Sequence, residues 1–273
     1  MIVFALPAVS TVLAALWFIF WLASAIFIFS VGTPAPREGY EFITEVKWDV
    51  NTRCIFIYHM FALFWINSWI IGCVQFIIGA SACIWYFEVN TDSKGSGTLG
   101  RAINWCFKYH LGSIAFGSFI IAVCQMLRLL FEYYRQKMGV LSQEIKIVKI
   151  LTVLTGYLLW LMENCVKYIS KNAYIQIALT NESFFKSAWN AFALMIKNAD
   201  KFGFGASIGS VFMLFGCLSI AALTSGGSYI FLTNYSEISM SSPLPASIVI
   251  GIIAAAVGYF FLSIFSFSSD AIL

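Results

Sequence analysis

The chain has 273 residues, of which 60% are hydrophobic, 18% aromatic and only 11% charged, where an ordinary soluble domain carries roughly 25% charged residues. Its mean hydropathy of +0.86 excludes a soluble fold, which would need more polar surface, and a disordered chain, which would need far less apolar content. The net charge of +3 is too small and too dispersed for a nucleic-acid binder.

A helix crossing the ~30 Å hydrocarbon core needs about 20 mostly apolar residues, so uncharged runs of that length mark the spans. Residues 2–31 carry no charge, and Pro34 and Pro36 then stop the run. It lacks the basic start and short apolar stretch of a cleaved leader, and is read as a retained span. Residues 54–87 form a second run, interrupted only by His59. It is longer than the core requires, which predicts tilt, a kink or extension beyond the membrane. The third run, 109–127, ends in Arg128, Glu132, Arg135 and Lys137. Glu132 stands four residues after Arg128 and three before Arg135, so these three are expected to share a helix face and pair.

The fourth run, 150–162, is shorter and is followed by Glu163 and Lys167; it reads equally as a crossing or as a re-entrant or interfacial helix. Residues 171–201 are amphipathic: Ile175, Leu179, Phe184, Phe185, Ala188, Phe192 and Met195 recur at three- and four-residue steps, with Lys186, Lys197 and Lys201 off the stripe. Such a segment is expected on the membrane surface or beneath the bundle, on the cytosolic side. Residues 202–223, reaching towards 232, and 244–269 complete the set of apolar runs. The expected fold is all-α: a polytopic helical membrane protein with about six hydrophobic helices in a single transmembrane domain over 1–273. The third and fourth segments are left open between crossing and re-entrant forms. The only flexible-looking stretch is 90–100.

Lys and Arg are abundant in 163–201 and absent from 225–246, so the positive-inside rule places the first in the cytosol and the second outside. Both termini are then inner. The basic turn 128–149 lies outside if the third and fourth segments cross, and inside if they do not. Of two glycosylation sequons, Asn234-Tyr235-Ser236 is expected outside and Asn181-Glu182-Ser183 inside.

Catalytic chemistry has no footing: there are two histidines, His59 and His110, and none of the motifs of metalloproteases, serine hydrolases or nucleotide binders. No enzyme activity, metal site or cofactor is expected. The seven cysteines form no C-x-x-C pair and read as small buried hydrophobes. Polar groups at membrane depth are more informative, because an unpaired ion there costs several kcal/mol. Gln75 and Gln125 fit interhelical hydrogen bonding or a substrate contact; Glu163 fits an ion pair with Lys167 or a carboxylate facing a cavity. Trp65 and Trp69 share a helix face, as interface anchors or as a cage for a quaternary ammonium group. Small residues at packing distance, among them Ser113 and Gly117, Gly205 and Gly209, Gly251 and Ala255, and Gly72 and Gly79, allow close helix approach.

Several strings carry more than composition. Phe64-Trp65, then Gln75-Phe76-Ile77-Ile78-Gly79-Ala80, then Trp85-Tyr86-Phe87 resemble the choline transporter-like family. So do Tyr109-His110-Leu111-Gly112-Ser113-Ile114-Ala115-Phe116-Gly117-Ser118 and, after Glu163, Lys171-Asn172-Ala173-Tyr174-Ile175-Gln176-Ile177-Ala178, Ser187-Ala188, Asn190-Ala191-Phe192 and Asn198. The resemblance covers roughly residues 61–270 and corresponds to the C-terminal part of the family pattern. It departs from that pattern in Phe185, where a cysteine is common, and in lacking a cysteine cluster ahead of Glu163. It implies a transporter of choline or a related small cationic amine, embedded in the lipid bilayer and working by alternating access. Trp65, Trp69, Gln75 and Glu163 are the expected substrate contacts, with ring faces for the trimethylammonium group and a polar group for the hydroxyl. The alternative is a non-transporting structural subunit held by partner membrane subunits in a larger assembly.

Overall fold

A computed structural model of the chain describes residues 5–37, 40–88, 97–138, 146–234 and 242–272. Most of the stretch 90–100, the turn between residues 138 and 146, and Tyr235-Ser236 of the outer sequon lie outside these. The elements in order are α1 (Ala5–Ser30), β1 (Thr33–Arg37), β2 (Tyr40–Lys47), α2 (Val50–Phe87), α3 (Thr98–Trp105), a π-helical turn (Cys106–His110), α4 (Leu111–Met138), α5 (Lys146–Thr180), α6 (Phe184–Lys197), α7 (Ala199–Asn234) and α8 (Leu244–Ile272). Among the described residues, six helices are long and apolar enough to cross a membrane.

The charges that end the uncharged runs do not end the helices. The third run lies inside one helical stretch, Thr98–Lys137, in which α3 passes through the π-helical turn into α4. The fourth run is the N-terminal half of α5, which continues unbroken through Glu163, Lys167 and Lys171 to Thr180. Those three residues recur every four positions and form one stripe on the helix; each is paired. A charged stripe that is neutralised across the bundle leaves the backbone free to remain helical. With α5 full length, the fourth segment is long enough for a crossing, and the stretch 171–201 divides at Asn181, which adopts φ +56°, into the end of α5 and the separate helix α6.

The sequence does not foretell a hairpin between α1 and α2, yet β1 and β2 pair antiparallel from Thr33↔Lys47, with a register irregularity between Pro36 and Arg37. Pro34 and Pro36 stand at alternate positions of β1, so their missing N–H groups cost the ladder little on its outer edge. The hairpin is seated on the end of α1 by Phe29, whose ring meets Trp48 edge-on at 4.5 Å. Gly32 lies under that indole: a Cβ there would stand 2.6 Å from Trp48 Cδ1.

Neighbouring crossings run antiparallel. On α1 and α2, Leu6 packs near Phe76 and Ile78, while Trp21 stacks on His59 at 5.0 Å. On α4 and α5, Gly156 faces Phe131 and Tyr174 reaches Gly117. One end of the bundle therefore collects Leu6, the end of α2, α3, the α5–α6 turn and the end of α8. The other collects the hairpin, the C-terminal end of α4 and the N-terminal end of α5, the end of α7 and the start of α8. Asn181 and Asn234 sit at opposite ends.

The core is concentrated at the α6 end. Phe76, Ile114, Tyr174, Ile177 and Phe184 join α2, α4, α5 and α6; Ile78, Ile175, Ile264 and Phe267 add α8. The pair α7–α8 packs closely from Gly209 against Ser266 to Gly251 against Ser225. A Cβ on Gly251 would meet the Ala221 carbonyl oxygen at 3.2 Å, and a helix backbone cannot turn away as a side chain can. Gly251→Leu is expected to separate α7 from α8 at a cost of about 1–3 kcal/mol, while Gly227→Leu, facing open space, should be tolerated. Denaturant titration of both variants in mixed micelles checks the contrast.

Candidate functional site

Three helices, α2, α4 and α5, carry a seam of polar groups through an otherwise apolar interior. Small residues let them close: a Cβ on Gly72 would lie 3.0 Å from Ile114 Cγ2 and 3.2 Å from Tyr174 Oη, and one on Gly117 would lie 2.7 Å from the same hydroxyl. Into this gap Ser118 Oγ donates to the Ile114 carbonyl at 2.8 Å and approaches the Ser68 carbonyl at 3.2 Å. The Tyr174 hydroxyl stands 3.4 Å from both Ser118 Oγ and the Ile114 carbonyl. Ser68 Oγ in turn donates to Gln125 Oε1 at 3.4 Å. Tyr174 and Ser118 are fully buried. Gln125 thus serves as an interhelical partner.

Trp65 faces α4. Its indole N–H donates to the Ala115 carbonyl at 3.0 Å, and its ring packs against Phe61 at 6.0 Å and Phe119 at 5.5 Å between centroids. Phe61 and Phe119 also meet edge-on at 5.5 Å, so the three rings close on one another. Trp69, one turn along, packs against the buried cluster, and its indole N–H is buried with no hydrogen-bond partner among the described residues. The indole N–H groups of Trp17 and Trp48 share this state, although buried N–H groups are satisfied in the great majority of cases. Gln75 is half-buried beside the fully buried Phe76.

Glu163 is buried, its side chain 8% exposed, between Arg128 Nη1 at 2.8 Å and Lys167 Nζ at 2.5 Å. The expected pairing of Arg128 with Glu132 gives way here: Glu132 pairs with Arg135, and Arg128 crosses to α5. Both carboxylates are within reach of Arg128, but the buried one gains more from a cation because it has less water to replace. Arg128 lies 13 residues beyond Ala115 on α4, about 20 Å along the axis at 1.5 Å per residue. The structure therefore brings Trp65 and Trp69 together on one face and holds Glu163 at another level of the bundle.

Sequence reasoning missed two features. Ser68, Ser118 and Tyr174 meet only through tertiary contact, although Gly72 and Gly117 mark where the helices close. Lys171 pairs with Asp270 at 2.6 Å across 99 residues of chain, a contact that no local spacing foretells.

The sequence profile of the family described as plasma-membrane choline transporter matches residues 1–273. Among curated relatives, "Choline transporter-like protein 1" of Torpedo marmorata is 28% identical over 94% of this chain and 39% of the relative. "Choline transporter-like protein 2" of Dictyostelium discoideum is 27% identical over 93% of this chain and 40% of the relative. "Choline transporter-like protein 1" of Caenorhabditis elegans is 30% identical over 66% of this chain and 26% of the relative. The chain thus spans about two fifths of the length of the first two relatives.

Proposed function

This chain belongs to the plasma-membrane choline transporter family, and from that premise we propose that it moves choline or a related small amine across the bilayer by alternating access. The observation that carries the reading is the shared α2 face of Trp65, with its ring among Phe61 and Phe119, and Trp69, packed on the buried cluster. Trp65 offers a ring face beside Phe61 and Phe119, and Trp69 offers an indole N–H for which the described residues supply no acceptor. They are four residues apart, about 6 Å along the helix, on one face of α2. The trimethylammonium group takes the ring face and the hydroxyl takes the Trp69 N–H. Because the rings of Trp65, Phe61 and Phe119 lie against one another, access opens when α2 and α4 part at this level.

Glu163 does not receive the substrate in this reading. Two cations already hold its carboxylate, so its role is to join α4 to α5. Gln75 lies six residues beyond Trp69, about 9 Å along α2, and makes no substrate contact in this reading.

Radiolabelled choline uptake into liposomes containing the purified chain, with an unrelated membrane protein as control, tests the proposal. Saturable uptake is expected. Trp65→Ala should weaken it by the value of a desolvated cation–π contact, about 0.5–2 kcal/mol, which is from a few-fold to ~30-fold in apparent affinity. Trp69→Phe keeps the ring and removes the N–H, and should raise KM with little change in fold stability. Uptake unchanged in both folded variants would sink the site. Because the chain spans about two fifths of these relatives' length, a second reading is kept: a structural subunit of a larger membrane assembly. A folded chain without uptake, recovered from native membranes with partner subunits, would favour it.

A further inference from the structure

Two cavities adjoin at Met195, which lines both, away from Trp65 and Trp69. One, of about 400 Å³, lies between α5, α6 and α7, and its wall is apolar apart from the Tyr168 hydroxyl and the Cys165 thiol, with Ile169, Phe192 and Ile196 among its lining. The other, of about 310 Å³, is bounded by α5, α6, the first turn of α7 and the last turn of α8, and Asn172, Gln176, Asn198, Lys201 and Asp270 give it a polar wall. Both volumes fall in the range of about 300–1,000 Å³ that small-molecule sites occupy. Along α5 the apolar lining comes first, at 165–169, and the polar lining follows, at 172–176, towards the end of the bundle that α6 occupies. Apolar towards the middle of the membrane and polar towards its surface is the order of chain and headgroup in a lipid.

The charges of this region are mostly matched. Of those in 163–201, Glu163 pairs with Lys167, Glu182 with Lys186, and Lys171 with Asp270 of α8. Lys197, Asp200 and Lys201 remain, without an ion-pair partner among the described residues. Asp200 lines neither cavity; it stands in the first turn of α7, where a carboxylate suits the helix N-terminus. Lys201 is exposed and lines the polar cavity, and Lys197 is exposed one residue before Asn198. Asp270, the acid of that cavity, is neutralised by Lys171 Nζ at 2.6 Å. The polar cavity therefore carries one uncompensated charge, and it is positive. The C-terminal carbonyls of α6, which would repel an anion, are partly covered: the Asn198 backbone N–H donates to the Leu194 carbonyl at 3.0 Å and the Asn198 carboxamide donates to it at 3.1 Å.

We propose that the adjoining cavities hold one anionic phospholipid, with an acyl chain in the α5–α6–α7 groove and its phosphate against Lys201. The Lys201 ammonium group and the Gln176 carboxamide donate to phosphate oxygens, and a charge-assisted bond of this kind is stronger than a neutral one. Tyr168, Phe192 and Ile196 are exposed and line the groove, so the acyl chain enters sideways from the bilayer. The expected orientation of the chain puts this end in the cytosol, and the cytoplasmic leaflet is the one that carries anionic lipid. Other occupants fit less well. A neutral apolar chain leaves the Lys201 charge unanswered, and an apolar helix of another protein leaves the polar cavity unfilled. Bound in this way, the lipid bridges α5, α6 and the start of α7.

The test uses the full chain in phosphatidylcholine nanodiscs that contain a small fraction of phosphatidylserine with a diazirine at the end of one acyl chain. After irradiation, peptide mass mapping should place the label on 165–169 and 192–203, and unlabelled phosphatidylserine should compete better than phosphatidylcholine. Lys201→Gln removes the cation and should lower labelling about fivefold, the value of one lysine beside an anionic lipid. Gly203 lines the apolar groove, and a Cβ there meets no atom within 4 Å. Gly203→Leu should therefore fold with a melting temperature near that of the unaltered chain, occupy the groove and lose the label. Label spread evenly over the lipid-facing sides of α1, α7 and α8, or equal competition by the two lipids, overturns the proposal. So does labelling that survives both substitutions in folded chains. Oleate displacing the probe as well as phosphatidylserine does would overturn the assignment to a phospholipid. Should either variant fail to fold, the label map and the competition in the unaltered chain decide the matter.

Discussion

Tyr174→Ala should be the most disruptive large-to-small change in the chain, at about 3–5 kcal/mol, and Tyr174→Phe should cost under about 1 kcal/mol. The ring is fully buried and fills the space that Gly72 and Gly117 leave open, so its removal opens a cavity where α2, α4, α5 and α6 meet. In a bilayer the transfer of apolar surface from water contributes little between helices, and the loss falls on packing. The hydroxyl matters less, because its two contacts are both at 3.4 Å and lie at the weak end of hydrogen bonding. Filling the same space from the other side should be nearly as harmful: a Cβ on Gly117 would collide with the Phe184 ring and the Tyr174 hydroxyl. Gly117→Val is therefore expected to displace α6 from α4. Denaturant titration of the purified variants in mixed micelles gives the energies. A Tyr174→Ala chain as stable as Tyr174→Phe would show that the seam is not what holds these helices.

The spans were legible because hydrocarbon demands long uncharged runs. The helices were less so, since a run ends at the first charge and a helix ends only where its backbone loses partners. Glu163 stops the fourth run at 162 and yet lies in the middle of α5, because Arg128 and Lys167 neutralise it. The family strings were legible for a different reason. Phe76–Ala80, Ile114–Ser118 and Ala173–Ile177 are where α2, α4, α5 and α8 touch, and close contact restricts residue type. Of the site, the shared face of Trp65 and Trp69 could be read from a four-residue spacing. The separation of that face from Glu163 could not, since it depends on the register between α2, α4 and α5. Lys171 with Asp270 needed the whole bundle, for the two are joined only once α8 has returned to α5.

Removing Arg128 and Lys167 together should cost far more than the sum of removing each alone. Glu163 is the buried member of this group, with 8% of its side chain exposed, whereas Arg128 and Lys167 are 48% and 43% exposed. Either cation can neutralise the carboxylate when the other is gone, so Arg128→Met and Lys167→Met are each expected to cost about 1 kcal/mol or less. The double variant leaves a carboxylate buried with no counter-charge, which costs about 3–5 kcal/mol. Glu163→Gln should fall between, because the two freed cations have long stems and can turn their charges to water or headgroups. A double-mutant cycle over Arg128 and Lys167 measures the excess; simple additivity would mean that Glu163 draws its neutralisation from elsewhere. The same cycle read by uptake carries a mechanistic consequence. If Glu163 joins α4 to α5 and does not bind the substrate, single loss of either cation should leave KM for choline near its normal value, and only the double variant, with α4 and α5 uncoupled, should lose transport.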